Sequence, residues 1–247
     1  MEGKVALVTG GATGIGKAIC IQLCHNRCKV AVCDMNEEVG RQTVKELNSQ
    51  GGEAIFIKVD VTKSEEVQNM VKSVIDKFGR IDYAVNNAGV GGSLSKTENY
   101  SESLFDNIMD INLKGVFLCL KYQLKQMVAQ GGKGCSIVNT SSISGLSAYR
   151  MNSPYSASKF GVVGLTKSTA IEYARMGIRV NCVCPTFTQT AMLPDDKKLQ
   201  ENLIERVPLH RLGTPDDVAN AVMFLLSEQS SFITGVALPL CGGLSAL

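Results

Sequence analysis

Histidine is scarce in this 247-residue chain: there are two, His25 and His210. A serine nucleophile of the ordinary kind needs an imidazole beside its hydroxyl. With His25 in the first expected helix and His210 in a distal loop, acyl transfer by a serine triad is not supported. Nor is there an excess of charge of one sign. Lys and Arg total 25 against 23 Asp and Glu, a net charge of +2, and they are interspersed, so no basic stripe exists to displace counterions from a nucleic acid. No apolar run is long enough for a signal peptide or a bilayer span, which makes a cytoplasmic protein without membrane association the expectation. Low-complexity segments are also missing. The nine cysteines are odd in number and irregularly spaced, a poor disulfide framework and a better set of reduced core thiols. Cys20, Cys24 and Cys28 recur every four residues near His25, which would line them along a helix, but no second ligand pair accompanies them and no metal is expected.

What is present is a strong alternation. Short runs rich in valine and isoleucine, "KVALVT" (4–9), "KVAVCD" (29–34), "AIFIKVD" (54–60), "IDYAVN" (81–86), "CSIVNTS" (135–141), "IRVNCVC" (178–184) and "GVALPL" (235–240), read as buried strands. Between them lie amphipathic stretches such as 37–50 and 64–78, with apolar residues at helical spacing. Parallel strands require such crossovers. The expected fold is therefore α/β: one domain, 1–247, built on a doubly wound parallel sheet of about seven strands, with ligands beyond the carboxyl ends of the strands. Residues 186–212 break the rhythm with a polar, proline-containing stretch, which is expected to be a substrate lid, the alternative being a surface loop with a short helix.

The first strand runs into "TGGATGIG", where Gly10, Thr13, Gly14, Ile15 and Gly16 open a helix. Glycines there permit a tight turn, let the backbone approach a pyrophosphate and aim helix N-terminal amides at its oxygens. Asp34 closes the second strand, placed to accept hydrogen bonds from adenosine ribose hydroxyls and to repel a 2′-phosphate, which favours NAD. Asp60 and Val61, expected to close the third strand, would border the adenine. "NNAG" (86–89) closes the fourth, where its amides could serve loop or ligand equally.

Tyr155 and Lys159 stand at i and i+4 on a helix expected to begin near Pro154. A nearby ammonium would lower the phenol's pKa and make it a usable base, although such a pair could equally be a solvated helix face. The fifth strand ends in "NTSSISG", delivering Ser141 and Ser142 to the edge that holds the nucleotide loop, where a hydroxyl could bind a reacting oxygen.

The ordered set "TGGATGIG", "NNAG", Asn112, "NTSSISG", "YSASK" and "FITG" resembles the short-chain dehydrogenase/reductase family over nearly the whole chain. The resemblance implies a Rossmann-type domain and an NAD-dependent oxidoreductase exchanging hydride with a secondary alcohol or ketone. It implies that Ser142 contacts substrate, that Tyr155 donates or accepts the proton, and that Lys159 tunes Tyr155, both of the latter also bordering the cofactor. Asn112 matches a member that holds a water linking the lysine to solvent. Asn87 matches a cofactor-contacting amide, and Thr188 and Thr190 match positions meeting the nicotinamide end. Two departures stand out: Thr186 follows Pro185 where relatives carry glycine, and Cys241 replaces the acid of a usual "DGG". A homotetramer packed through helices around 101–130 and 155–175 is implied. The rival readings are a 3-oxoacyl reductase acting on carrier-bound acyl groups, disfavoured by Asp34, and a nucleotide-binding scaffold without turnover. Ser144, Leu146, Tyr149, Met151, Asn152, Met192 and Leu193 are the candidate substrate-pocket residues.

Overall fold

A computed structural model describes residues 1–193 and 195–246; Pro194, within the expected lid, and Leu247 lie outside the described residues. Seven short apolar runs become parallel strands: β1 Val5–Thr9, β2 Lys29–Asp34, β3 Glu53–Lys58, β4 Tyr83–Asn86, β5 Ser136–Thr140, β6 Arg179–Pro185 and β7 Ala237–Leu240. They form one sheet in the order β3-β2-β1-β4-β5-β6-β7. The connecting helices are α1 Gly14–His25, α2 Glu37–Ser49, α3 Ser64–Phe78, α4 Glu102–Met109, α5 Gly115–Ala129, α6 Ser153–Tyr173, α7 Lys197–Glu205 and α8 Pro215–Leu226.

Both faces of the sheet are covered because both sets of alternating side chains are apolar. Val5 and Leu7 pack with α3, α5 and α6 through Val67, Val74, Leu120, Met127 and Val162. Ala6 and Val8 point the other way, into Ile19 and Leu23 of α1 and Val222 and Leu225 of α8. Full burial of side chains of this size contributes about 1.5–3 kcal/mol each. Strand order reverses between β1 and β4, so the loops leaving their carboxyl ends diverge and open the crevice in which ligands of this architecture bind.

Local chemistry sets where the elements end. Gly79, at φ 82°, caps α3, whose last turn also carries Lys77. Thr214 and Asp217 form a reciprocal capping box on α8, with proline in its first turn. Two expectations need correction. β3 ends at Lys58, so Asp60 and Val61 lie in the following turn, where the Asp60 carboxylate accepts from the Thr62 amide and hydroxyl. α1 stops at His25, so Cys28 sits at the entry to β2 and not on one helix face with Cys20 and Cys24. All nine cysteines are free thiols. Among the described residues no group of His, Cys, Asp and Glu is arranged to hold a metal ion, and no helix is long and apolar enough to cross a membrane.

Candidate active site

The glycine loop is built by backbone geometry that other residues cannot adopt. Gly10 and Gly14 have φ of 60° and 51°. A Cβ on Gly16 would lie 2.0 Å from the Gly10 carbonyl oxygen, so α1 can start against the turn only with glycine there. Thr13 precedes the helix in an extended conformation and its side chain caps no amide, while the first turn holds no acidic residue. The N-terminal amides of α1 thus keep their capacity for an external anion. Ile15 is half-buried against the sheet face carrying Ala6 and Val8.

Asp34 is fixed beside this loop: one carboxylate oxygen accepts from the Ala12 amide at 3.1 Å and the other from the Asn36 amide at 3.0 Å. Three cations of the surrounding elements are already paired, Lys17 with Glu46, and Arg41 and Lys58 both with Glu37. Val61 is buried, with its side chain against Gly115.

Loops from the next two strands close on the same edge. The Asn87 carboxamide donates to the carbonyls of Thr9 and Gly10 at 3.2 and 3.1 Å and accepts from the Thr140 hydroxyl. Its side chain therefore sutures the glycine loop to β4 and β5. Asn112 lies in a wide helical turn, Asp110–Lys114, between α4 and α5. It is fully buried; its Oδ1 accepts from the Val90 amide at 2.8 Å and its Nδ2 donates to the Val90 carbonyl at 2.9 Å and the Ser158 hydroxyl at 3.3 Å. Gly89 fits between it and the lysine: an added Cβ would meet Asn112 Oδ1 at 3.2 Å and Lys159 Nζ at 3.5 Å.

The structure separates the two serines. Ser141 turns inward and donates to the Lys159 carbonyl at 2.9 Å, pinning β5 to α6. Ser142 stands on the phenol's side, near enough to favour Tyr155 ionisation; its hydroxyl accepts from the Ser144 amide at 3.1 Å and makes a long 3.4 Å contact to the Pro185 carbonyl. Lys159 is buried, donates to the Thr140 carbonyl at 3.0 Å and has its Nζ 5.6 Å from the Tyr155 ring centroid. Burial dominates both ionisations. It pushes Lys159 down to about 8, against a smaller upward pull from Cys184 and Cys182. It also pushes the Tyr155 phenol above its ordinary value, with Ser142 opposing. The expected lowering of Tyr155 by Lys159 is thus not the state of this chain, because the ammonium is engaged with a carbonyl and the phenol is desolvated.

Beyond β6 the chain crosses the crevice. The Thr188 hydroxyl donates to the Thr186 carbonyl at 2.9 Å. Thr190 reaches the glycine loop, its methyl 3.3 Å from where a Gly14 Cβ would stand, and Met192 similarly approaches Gly91. Thr186 Oγ1 is buried and has no hydrogen-bond partner, the one such side-chain atom among the described residues. An orphaned hydroxyl of this kind costs about 1–3 kcal/mol. The uncapped helix start, the tied carboxylate of Asp34 and this hydroxyl together fit a dinucleotide laid along the edge.

Three residues at the mouth carry no sequence signature as a set. Arg206, at the end of α7, donates to the Tyr149 hydroxyl at 3.0 Å and lies 5.4 and 5.6 Å from the Tyr149 and Phe187 ring centroids. Tyr149 is a candidate pocket residue; its partners lie far along the chain and no periodic pattern links them. On the opposite wall, Asn152 accepts from the Tyr100 hydroxyl at 3.4 Å, and Met151 is held at φ 65°. Ser144 is buried, Leu146 packs on Cys182 and Cys184, and Leu193 is half-buried.

The comparisons agree with this geometry. Residues 10–245 match a family model described as enoyl-(acyl carrier protein) reductase. An uncharacterized oxidoreductase of Thermotoga maritima is 41% identical over 255 residues, covering 100% of this chain and 99% of that protein. A cyclohexanol dehydrogenase of an Acinetobacter species is 38% identical, covering 94% of this chain and 91% of its own length. Among solved structures, levodione reductase superposes with a TM-score of 0.96 at 35% identity, covering 100% of this chain and 99% of that one. The chain belongs to the short-chain dehydrogenase/reductase family. It is an oxidoreductase acting on CH–OH groups with a nicotinamide cofactor.

Proposed function

We propose that this enzyme uses NAD(H) to interconvert a small secondary alcohol and its ketone. The observation that carries the reading is that Ser142, the Tyr155 phenol and a buried Lys159 come together at the sheet edge that holds the glycine loop. When bound, the nicotinamide supplies the hydride acceptor or donor. Gly10, Thr13, Gly14, Ile15 and Gly16 would hold the pyrophosphate, Asp34 the adenosine ribose, Asp60 and Val61 the adenine edge, and Thr188, Thr190 and Asn87 the nicotinamide half.

In alcohol oxidation, Ser142 donates to the substrate oxygen and Tyr155, as phenolate, accepts the hydroxyl proton. The weak Ser142 contact to Pro185 leaves that hydroxyl free to turn toward substrate. Lys159 stabilises the phenolate as it forms, and Asn112 holds the backbone at Val90, next to Gly89, which borders the lysine. In ketone reduction Tyr155 returns the proton. Because burial raises its pKa, oxidation gains with rising pH as the phenol ionises. Residues 186–212 act as the lid, Met192 meeting the Gly91 loop and Arg206 clasping Tyr149 and Phe187.

The preference for NAD rests on the carboxylate of Asp34 and the paired cations around it. Self-association, as a homotetramer, is supported by a groove of about 530 Å³ whose apolar lining, Met109, Leu113, Phe117 and Leu165, comes from α4, the wide turn after it, α5 and α6, with Asp110, Lys114 and Ser168 at its polar positions, flanked by the exposed Phe160. Nine free thiols suit a reducing cytoplasm.

NADH formation with a panel of secondary alcohols, and its consumption with ketones, 3-oxoacyl thioesters and enoyl thioesters, tests the reading. Tyr155→Phe should lose at least about a thousandfold in turnover while binding NADH normally. Near-normal turnover by that variant would remove Tyr155 from the chemistry, and preference for a thioester would replace the simple alcohol as substrate.

A further inference from the structure

We infer that Thr186 is a cofactor-positioning residue whose hydroxyl is held for the nicotinamide carboxamide. The inference rests on the reading of the site above and adds a contact in the place where the family resemblance leads one to expect glycine. Backbone needs do not explain the residue. Its amide already donates to the Leu240 carbonyl at 3.1 Å and its carbonyl accepts from Thr188 at 2.9 Å, so the main chain is satisfied without a side chain. Its hydroxyl is nevertheless buried and unpartnered, a state that proteins rarely retain unless a ligand or water completes it.

Position names the partner. Thr186 follows Pro185, whose carbonyl contacts the Ser142 hydroxyl, and precedes Thr190, which reaches the glycine loop at Gly14. It therefore stands between the substrate-oxygen site and the chain segment that covers the dinucleotide. A carboxamide offers both an N–H donor and a carbonyl acceptor, and a hydroxyl can answer either. Thr186 keeps part of its surface exposed, and threonine exchanges its hydroxyl and methyl by one χ1 rotation. The bound ring can thus draw the hydroxyl out of its unpartnered position. A hydrogen bond there would fix the rotation of the carboxamide, and with it the ring face presented to Ser142 and Tyr155.

Binding of NADH and of ADP-ribose, which lacks the nicotinamide, separates this contact from the rest of the site. By fluorescence and calorimetric titration of full-length protein, Thr186→Val should weaken NADH about fivefold, as expected for one hydrogen bond, and leave ADP-ribose unchanged. Thr186→Ser, which keeps the hydroxyl, should bind NADH within about twofold of wild type. The nucleotide-free Thr186→Val protein should melt at or above the wild-type temperature, since a buried orphan has been removed. Unchanged NADH affinity in the valine variant overturns the inference. So does a parallel loss of both nucleotides, or a lower melting temperature, either of which would make the hydroxyl a structural group. Wild-type protein that bound neither nucleotide would overturn the underlying reading instead.

Discussion

Replacing Asp34 by asparagine tests how this chain selects its dinucleotide. The carboxylate is held rigidly beside the glycine loop by the amides of Ala12 and Asn36. It cannot easily swing away from a group placed on the adenosine ribose. Two unit charges about 4 Å apart repel by about 4 kcal/mol at an effective dielectric near 20, and by about 1 kcal/mol in bulk water. Asp34 is half-buried, so its environment falls between these limits. A single charge pair then gives about a 5- to 1,000-fold bias against a 2′-phosphate, at roughly tenfold per 1.4 kcal/mol. Lys17, Arg41 and Lys58 offset it little, since they are committed to Glu46 and Glu37. Wild-type kcat/KM should therefore favour NAD over NADP by at least about tenfold. Asp34→Asn removes the charge at constant size. It weakens NAD use, because hydrogen bonds to a charged acceptor contribute about 1.5–3 kcal/mol, and it relieves the repulsion on NADP. The ratio of the two kcat/KM values should fall at least about thirtyfold, and added salt should narrow the wild-type preference. Initial rates with both cofactors and one good alcohol measure this. Equal use of NAD and NADP by wild type, or an unchanged ratio in the variant, would refute the electrostatic argument.

The lid and the lysine give two further predictions. Arg206→Ala removes two exposed cation–π contacts, about 0.5–1 kcal/mol each, and one hydrogen bond of about 1 kcal/mol, so the substrate KM should rise by about 30- to 150-fold with NADH affinity unchanged; an unchanged KM would deny residues 186–212 a role in closing over substrate. Lys159 falls from 10.5 to about 8 in the folded chain. Across that interval the unfolded chain holds a proton that the folded chain has released, so stability climbs with pH through it, by up to about 3 kcal/mol, and is flat on this account below pH 8. Lys159→Met should erase that rise in urea unfolding measured from neutral pH to about pH 10, whereas equal slopes in the two proteins would show that the buried amine is not the cause.

Legibility in the sequence followed the range over which each signal acts. All seven strands were readable as short apolar runs, the inner ones because both their faces are buried and the edge strands β3 and β7 although they are only partly buried, and 64–78 was readable to the residue as α3 because its apolar residues recur at helical spacing. Strand ends were less so: 54–60 continues apolar through Val59 and Val61 although pairing with β2 stops at Lys58, since burial outlasts the ladder. The glycine loop and the Tyr155–Lys159 pair were legible because contact and spacing coincide within one turn. What spacing could not show is which way each side chain faces. Ser141 and Ser142 are chemically identical neighbours, and only strand alternation at the end of β5 sends one into the α6 backbone and the other to the phenol. The same limit hid the environment of the lysine. An i, i+4 pair implies an ammonium tuning a phenol, but the fold buries both groups, with Lys159 donating to the Thr140 carbonyl, so desolvation dominates both ionisations. Neither group is then at rest in its charged form as firmly as the isolated helix would suggest. Lys159, pushed down to about 8, still carries its charge at neutral pH, so the site holds one buried ammonium beside a phenol that keeps its proton until a charge brought in alongside favours the phenolate.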